Sequence, residues 1–151
     1  MTATTAPPRR TTWTDDPNRA RVLWYAALFY LAAWAIHTGD HIRRGLGTVT
    51  PEVSTLGTIA AVAQLVAIAA VLGRLRIAPL LAVAIGFPDA IGIAAVHLVP
   101  HWSAFSDAFP GAHGTGVTAF SWFAAILEVV AAFVFAGAGL YAMREHTAPA
   151  R

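Results

Sequence analysis

Four long segments with almost no charged residues constrain the fold of this chain more than any other feature. They run at about residues 22–42, 55–73, 77–101 and 116–143. Each is long enough to supply the roughly 20 helical residues that cross the hydrocarbon core of a bilayer. Inside a bilayer the backbone polar groups must find partners within the protein, and the segments do not alternate as barrel strands do. With 57% hydrophobic and 12% charged residues, the composition also fits a chain surrounded by lipid. We therefore predict an all-α integral membrane four-helix bundle.

The rest of the sequence predicts two tails around this bundle. Residues 1–18 are rich in threonine, proline and charge, which is typical of a disordered tail, and residues 144–151 form a second short tail. Residues 19–143 are then the four-transmembrane-helix domain. Small residues within the segments permit close helix packing and are compatible with a homodimer.

The distribution of arginine predicts the orientation of the bundle, because the chain contains no lysine. Positively charged residues are concentrated in the cytoplasmic loops of membrane proteins. Arg43 and Arg44 lie on one side of the predicted spans, and the remaining arginines lie on the other: Arg9, Arg10, Arg19, Arg21, Arg74, Arg76, Arg144 and Arg151. Both termini are therefore expected in the cytoplasm of a multi-pass cell-membrane protein. No basic patch interleaved with aromatic residues indicates nucleic-acid binding.

Two histidine pairs lie at the ends of the first and third segments. His37 and His41 are four residues apart, as are His97 and His101, and residues at this spacing share one face of a helix. Both segments run outward in the predicted orientation, so all four imidazoles are expected at one depth near the extracytoplasmic leaflet. Imidazole is the commonest protein ligand for transition metals. The pattern predicts a metal site formed by His37, His41, His97 and His101.

The residue types available narrow the choice of metal. The chain has no cysteine, and its methionines are Met1 and Met143, neither near the histidine pairs. Iron–sulfur, blue-copper and soft copper(I) sites are therefore excluded, whereas zinc, copper(II) and mono- or dinuclear iron remain. Haem b is a competing cofactor. Two histidines would be left over, however, and a rise of about 6 Å within each pair is too small to stack two haems.

The H-x-x-x-H pairs resemble the histidine boxes of the membrane fatty-acid desaturases and hydroxylases, which bind two iron ions. The resemblance covers about ten residues. The doubled-histidine box of those enzymes is absent here and their boxes face the cytoplasm, so the chain is not assigned to that family.

Asp40 is the carboxylate nearest to the histidines in sequence. It lies three residues beyond His37, where it can complete the coordination, accept the second N–H of a histidine ring, or pair with Arg43 or Arg44 one turn further on. We favour the ring-holding role. In an enzyme, Asp40 is also a candidate catalytic base.

Three further polar residues fall near the middle of their segments: Gln64, Asp89 and Glu128. Polar groups at this depth are costly and usually functional, so we expect them to face the bundle interior and to form a buried network. Glu128 is the second candidate catalytic base, and the helix rise from the predicted start of its segment puts it below the histidines rather than beside them. Pro88 should kink the third segment just before Asp89.

The loop at residues 102–115 is too long to be a simple turn. Trp102, Phe105 and Phe109 recur at helical spacing, which predicts a short amphipathic helix in the membrane interface that covers the histidines. Asp107 and His113 in this loop are either additional ligands or solvated residues, and we favour the latter.

Two classes of function fit these features. The first is a membrane metalloenzyme, an oxidoreductase or hydrolase, whose lipid or quinone-like substrate enters from the surrounding membrane lipid. The second is a transporter that passes metal ions or protons along Asp89, Glu128 and Gln64. A third hypothesis is a haem-binding or accessory subunit of a larger membrane complex.

Overall fold

A computed structural model describes residues 12–112 and 115–144, and it is all-helical in its regular structure. Four helices form the fold: α1 (Pro17–Arg44), α2 (Pro51–Leu72), α3 (Ala78–Ile93) and α4 (Ala119–Met143). A single π-helical turn, Ala94–Leu98, extends α3, and short 3-10 turns occupy Trp13–Asp15 and Leu46–Thr48. By length and composition, all four helices can cross a membrane, with α3 and its π turn counted as one. The predicted four-helix fold is confirmed at this level.

The helix starts follow from local sequence. The Asp16 carboxylate accepts hydrogen bonds from the backbone N–H groups of Asn18 and Arg19, and Pro17 occupies the first helical position, where the missing N–H has no cost. Thr50 and Pro51 play the same two roles at the start of α2. These caps make α1 and α2 begin earlier than the predicted residues 22 and 55.

Two glycines bring the backbones of α3 and α4 close together. A Cβ added at Gly139 would lie 2.7 Å from the Pro79 carbonyl oxygen, and one added at Gly86 would lie 2.8 Å from the Ala132 carbonyl oxygen. Both distances are too short for any side chain. The two backbones are therefore in direct contact, as expected where small residues let helices approach in a membrane.

The distribution of residue size and polarity is inverted relative to a water-soluble domain. The buried hydrophobic residues are mostly alanines, whereas large side chains such as Ile59, at 63% exposure, and Phe123, at 53%, point outward. Gln64, Asp89 and Glu128 are buried in the interior, as the sequence predicts. An apolar exterior around a partly polar interior is what lipid as a solvent favours.

The ends of the chain differ from the prediction where residues are described. Residues 12–18 form a 3-10 turn and the start of α1, so the ordered structure begins before the predicted boundary at residue 19. Trp13 is buried, and its indole N–H donates to the Leu75 carbonyl oxygen at 3.0 Å. Residues 1–11 and 145–151, which make up most of the two predicted tails, lie outside the described residues.

The third span ends earlier than predicted, and the loop after it is not helical. Val99 has extended dihedral angles, and Pro100 has no N–H to continue the helix, so the span stops at Leu98 instead of residue 101. Residues 99–112 consist of bends and turns. The predicted amphipathic helix is therefore absent from this described stretch.

Candidate metal centre

Three of the four predicted histidines converge at one end of the bundle. His37 and His41 come from the last two turns of α1, and His97 comes from the π turn after α3. One ring nitrogen from each lies within 4.8 Å of the other two. The ring centroid of His37 is 4.9 Å from those of both other histidines. These three imidazoles can hold a metal ion between them.

His37 is oriented by a carboxylate from the neighbouring helix. Its Nδ1 forms a buried hydrogen bond with Glu128 Oε2 of α4. Its other nitrogen, Nε2, is buried and has no hydrogen-bond partner among the described residues. A buried polar atom without a partner is costly, and a histidine whose Nδ1–H is held by a carboxylate presents the Nε2 lone pair that a metal requires.

His97 is oriented by the backbone of the following loop. Its Nδ1 lies 3.1 Å from the Asp107 carbonyl oxygen, which can only accept a hydrogen bond, so Nδ1 carries the proton and Nε2 is the free nitrogen. The loop is in turn attached to the π turn, because the N–H groups of Asp107 and Phe109 donate to the Val96 and His97 carbonyl oxygens at 3.0 and 2.9 Å.

A buried ion pair holds this loop against α1. Both guanidinium Nη atoms of Arg44 lie 2.7 Å from the Asp107 carboxylate oxygens. Burial by itself would raise the pKa of Asp107, but the hydrogen bonds from the His97 and Arg44 side chains and the positive charge of Arg44 outweigh it and hold the pKa well below its usual range. Asp107 is thus buried and paired, contrary to the solvated position favoured from the sequence.

Phe109 forms part of the predicted cover over the histidines, although this stretch of the loop contains no helix. The Phe109 ring lies against His97 with centroids 4.8 Å apart, and Phe109 is buried. Trp102 and Phe105 remain exposed. His113 lies outside the described residues.

His101 does not join the group. It follows Val99 and Pro100 beyond the end of the π turn and is exposed. Residues four apart share a face only while the helix continues, and here it ends at Leu98. The expected fourth imidazole is therefore separated from the other three.

Asp40 does not hold a histidine ring. Its side chain is fully buried, and Oδ1 accepts hydrogen bonds from Arg43 Nε and Nη2 at 2.9 and 2.8 Å. The Arg43 guanidinium also donates to Ser121 Oγ on α4 at 3.1 Å. The ring-holding role favoured from the sequence is wrong, and the arginine pair is the alternative that the structure contains.

Glu128 is in direct contact with His37, the histidine furthest from the end of α1. The helix α4 begins at Ala119 rather than at the predicted residue 116, which brings Glu128 closer to the end of the bundle than the sequence estimate. The sequence indicates that Glu128 lies about three turns inside its segment. It does not indicate the depth of Glu128 relative to His37, because that depends on where each helix starts.

A buried hydrogen-bond network continues from Glu128 across the bundle. The Gln64 amide donates to Asp89 Oδ1 and, at 3.3 Å, to Glu128 Oε1. The Tyr30 hydroxyl donates to Asp89 Oδ2 at 2.6 Å. The predicted network of Gln64, Asp89 and Glu128 thus exists, and it includes Tyr30, which the sequence did not single out because one tyrosine in an apolar helix resembles a packing residue.

A cavity of about 280 Å³ lies next to the three histidines, between α1, α2 and α3. Residues such as Val53, Leu56 and Ile93 form apolar walls, and Gln64 is among the polar residues at its inner side. Residues 54–59 of α2 are all exposed. Since Leu56 belongs both to this exposed stretch and to the lining, the cavity opens at the side of the bundle.

The comparisons with protein families, curated proteins and solved structures found no match for this chain.

Proposed function

We propose that this chain is an integral membrane protein that binds one first-row transition-metal ion through His37, His41 and His97, and that it is a metalloenzyme acting on a lipid-soluble substrate. The buried Nε2 of His37, without a partner in the described part of the chain, carries the proposal. An imidazole fixed at Nδ1 and left bare at Nε2 is the arrangement of a metal ligand. His97 has the same arrangement, with a carbonyl in place of a carboxylate.

The spacing of the nitrogens fits a small ion after a minor adjustment. A tetrahedral ion with bonds of about 2.0–2.1 Å holds its nitrogen ligands roughly 3.4 Å apart. The nitrogens here lie within 4.8 Å of one another, so small rotations of the rings bring them to bonding distance. Zinc, copper(II) and iron suit three neutral nitrogen ligands.

A haem is less suitable for this group. Two axial histidines bind opposite faces of the macrocycle, with ring centroids about 6 Å apart. The three rings here have centroids 4.9 to 5.3 Å apart. They would need to separate to admit a porphyrin, whereas a bare ion requires only that the rings turn their nitrogens towards it.

Three protein ligands beside an open cavity favour catalysis over a purely structural role. Structural sites usually close the coordination with a fourth side chain, while catalytic sites leave one position for water or substrate. A bound ion would supply Lewis-acid or redox chemistry at that position. The apolar walls of the cavity would bind the body of a lipid-soluble molecule, and Glu128 would hold the His37 proton at Nδ1 during the reaction.

Elemental analysis of the purified protein tests the metal site, and the chain offers a matched control. We expect about one metal ion per chain in the parent protein and in His101→Ala, which removes an exposed histidine outside the group. We expect His97→Ala to lose the ion. Equal metal content in the two variants, or an absence of metal after loading of the parent protein with zinc, copper(II) and iron, would reject the site.

A second candidate function is transport of protons or metal ions. The observation that favours it is the hydrogen-bonded series from His37 through Glu128, Gln64 and Asp89 to Tyr30. Flux into proteoliposomes distinguishes the two functions. Transport requires a metal-dependent flux that Asp89→Asn abolishes, whereas an enzyme shows no such flux in either protein.

A further inference from the structure

A second pocket lies at the end of the bundle opposite the histidines. It has a volume of about 430 Å³ and is bordered by the first turns of α1, the 3-10 turn before it and the turn between α2 and α3. Arg21 and Arg74 both line it. The hydrogen bond from Trp13 to the Leu75 carbonyl oxygen ties the N-terminal turn to the α2–α3 turn, so the two sides of the pocket are joined.

Arg74 has a backbone conformation that arginine rarely adopts. Its φ is 55°, in the left-handed region that favours glycine, although the adjacent residue is Gly73. The N–H groups of Arg74 and Leu75 donate to the Val71 and Ala70 carbonyl oxygens and define the turn. A left-handed residue is usual directly after a helix end of this kind, but glycine or asparagine is the usual choice there. The Arg74 side chain is exposed and forms no hydrogen bond or ion pair with the residues that the structure describes.

Aromatic residues connect this pocket to an apolar groove. Trp24 and Tyr25 line the pocket and pack edge to face, with ring centroids 5.3 Å apart. Tyr25 also lines a groove of about 530 Å³ between α1 and α4, together with Phe29 and Val134. Tryptophan and tyrosine favour the depth of lipid headgroups. A charged pocket and an apolar groove thus meet at one tyrosine.

We propose that the pocket and the groove bind one anionic phospholipid, with its phosphate at Arg21 and Arg74 and an acyl chain along the groove. Guanidinium groups bind phosphate oxygens in a bidentate manner. The described residues that line the pocket include Arg21 and Arg74 and no aspartate or glutamate. The pocket lining is therefore positively charged. This proposal is independent of the metal centre.

The test compares two arginines of the same turn. The full chain is placed in phosphatidylcholine nanodiscs, and its affinities for phosphatidylglycerol and phosphatidylcholine with identical acyl chains are measured. We expect a preference for phosphatidylglycerol, reduced about fivefold by Arg74→Gln. Arg76→Gln removes the same charge from an exposed residue that does not line the pocket, and we expect less than a twofold change. Equal effects of the two variants, or no lipid preference, would overturn the proposal.

Three further measurements address the arginine backbone, the groove and the phosphate separately. Arg74→Gly deletes the guanidinium and relieves the backbone, so we expect weaker phosphatidylglycerol binding without a lower Tm. A Cβ at Gly137 meets no atom within 4 Å, so the side chain of Gly137→Leu can fill the groove and should weaken lipid binding. An unchanged lipid affinity would place the acyl chain elsewhere and overturn that half of the proposal. If inorganic phosphate binds the parent protein as tightly as phosphatidylglycerol does, the site is one for free phosphate and the lipid proposal is wrong.

Discussion

At the scale of single residues, the two buried histidines of the candidate metal centre, His37 and His97, depend on different kinds of acceptor. Glu128 holds His37 through its side chain, whereas Asp107 holds His97 through its backbone carbonyl. A substitution at position 128 therefore removes an orienting contact. A substitution at position 107 leaves the backbone contact in place, and it acts on the ion pair with Arg44 and on the 3.4 Å contact between the Asp107 carboxylate and His97 Nδ1.

We predict that Glu128→Gln weakens metal affinity by about 10- to 100-fold while the protein still folds, because the neutral amide is a poorer acceptor for the His37 Nδ1–H. Competition with a coloured chelator measures the affinity. The Tm of the metal-free protein serves as the control for folding. An unchanged affinity would mean that Glu128 does not orient a ligand.

We predict that Asp107→Asn lowers the stability of the fold by up to about 3 kcal/mol at pH 6, because it leaves the buried Arg44 guanidinium without its counter-charge. The folded-state pKa of Asp107 lies below its unfolded value. Its contribution is therefore fully present above the unfolded pKa of about 3.9 and declines as the pH falls below it.

The measurement is thermal unfolding in detergent at pH 6 and pH 3. The parent protein should have the higher Tm at pH 6, and the difference between the two proteins should shrink at pH 3. A difference that does not depend on pH would show that the charge of Asp107 is not responsible.

The positions of these residues show where sequence reasoning reached its limit. Spacing within one helix predicts that His37 and His41 share a face, and it succeeds because α1 continues to Arg44. The same reasoning fails for His101, since the helix stops three residues earlier. The role of Asp40 could not be decided from spacing, because His37 and Arg43 are both three residues away along the chain.

At the scale of elements, glycines bring α3 and α4 into close contact. Among the described glycines, Gly86 of α3 and Gly139 of α4 give the shortest distances from an added Cβ to a neighbouring helix. Gly139 faces the Pro79 carbonyl oxygen, whereas Gly137, two residues earlier in the same helix, faces open space. The two glycines therefore differ in what a methyl group would meet, although both lie within α4.

We predict that Gly139→Ala destabilises the bundle by roughly 1–3 kcal/mol, because the added methyl group forces α3 and α4 apart. Gly137→Ala is the matched control and should be neutral or stabilising by up to about 1 kcal/mol, since alanine is the better helix former. Thermal unfolding of both variants in the same detergent checks the pair. Similar effects would indicate that the close approach does not limit packing.

At the scale of the whole molecule, hydropathy predicted the number and approximate bounds of the helices, because lipid as a solvent demands long apolar segments. The cavity beside α2 could not be predicted in this way. Residues 54–59 are apolar or small enough to pack, and their exposure becomes apparent only once the other three helices are in place. The orientation across a membrane remains a prediction from the arginines.

The absence of cysteine makes that orientation directly testable. We predict that a membrane-impermeant maleimide, added to intact cells, labels Glu52→Cys at the start of α2 and leaves Arg76→Cys in the α2–α3 turn unlabelled, because the arginine-rich side faces the cytoplasm. Both native side chains are exposed. Labelling of Arg76→Cys after permeabilisation is the control, and the opposite pattern would reverse the topology.

The π turn at Ala94–Leu98 bears on how fast an ion could exchange. The carbonyl oxygens of Ala95, Val96 and His97 accept hydrogen bonds from Trp102, Asp107 and Phe109, so one wide turn both carries a candidate ligand and anchors the loop that follows it. Swinging the His97 ring aside would break its contacts with the Asp107 carbonyl and the Phe109 ring in that loop. Ligand dissociation would become a gated event, with a lifetime set by local unfolding of the backbone as well as by the strength of the coordination bond.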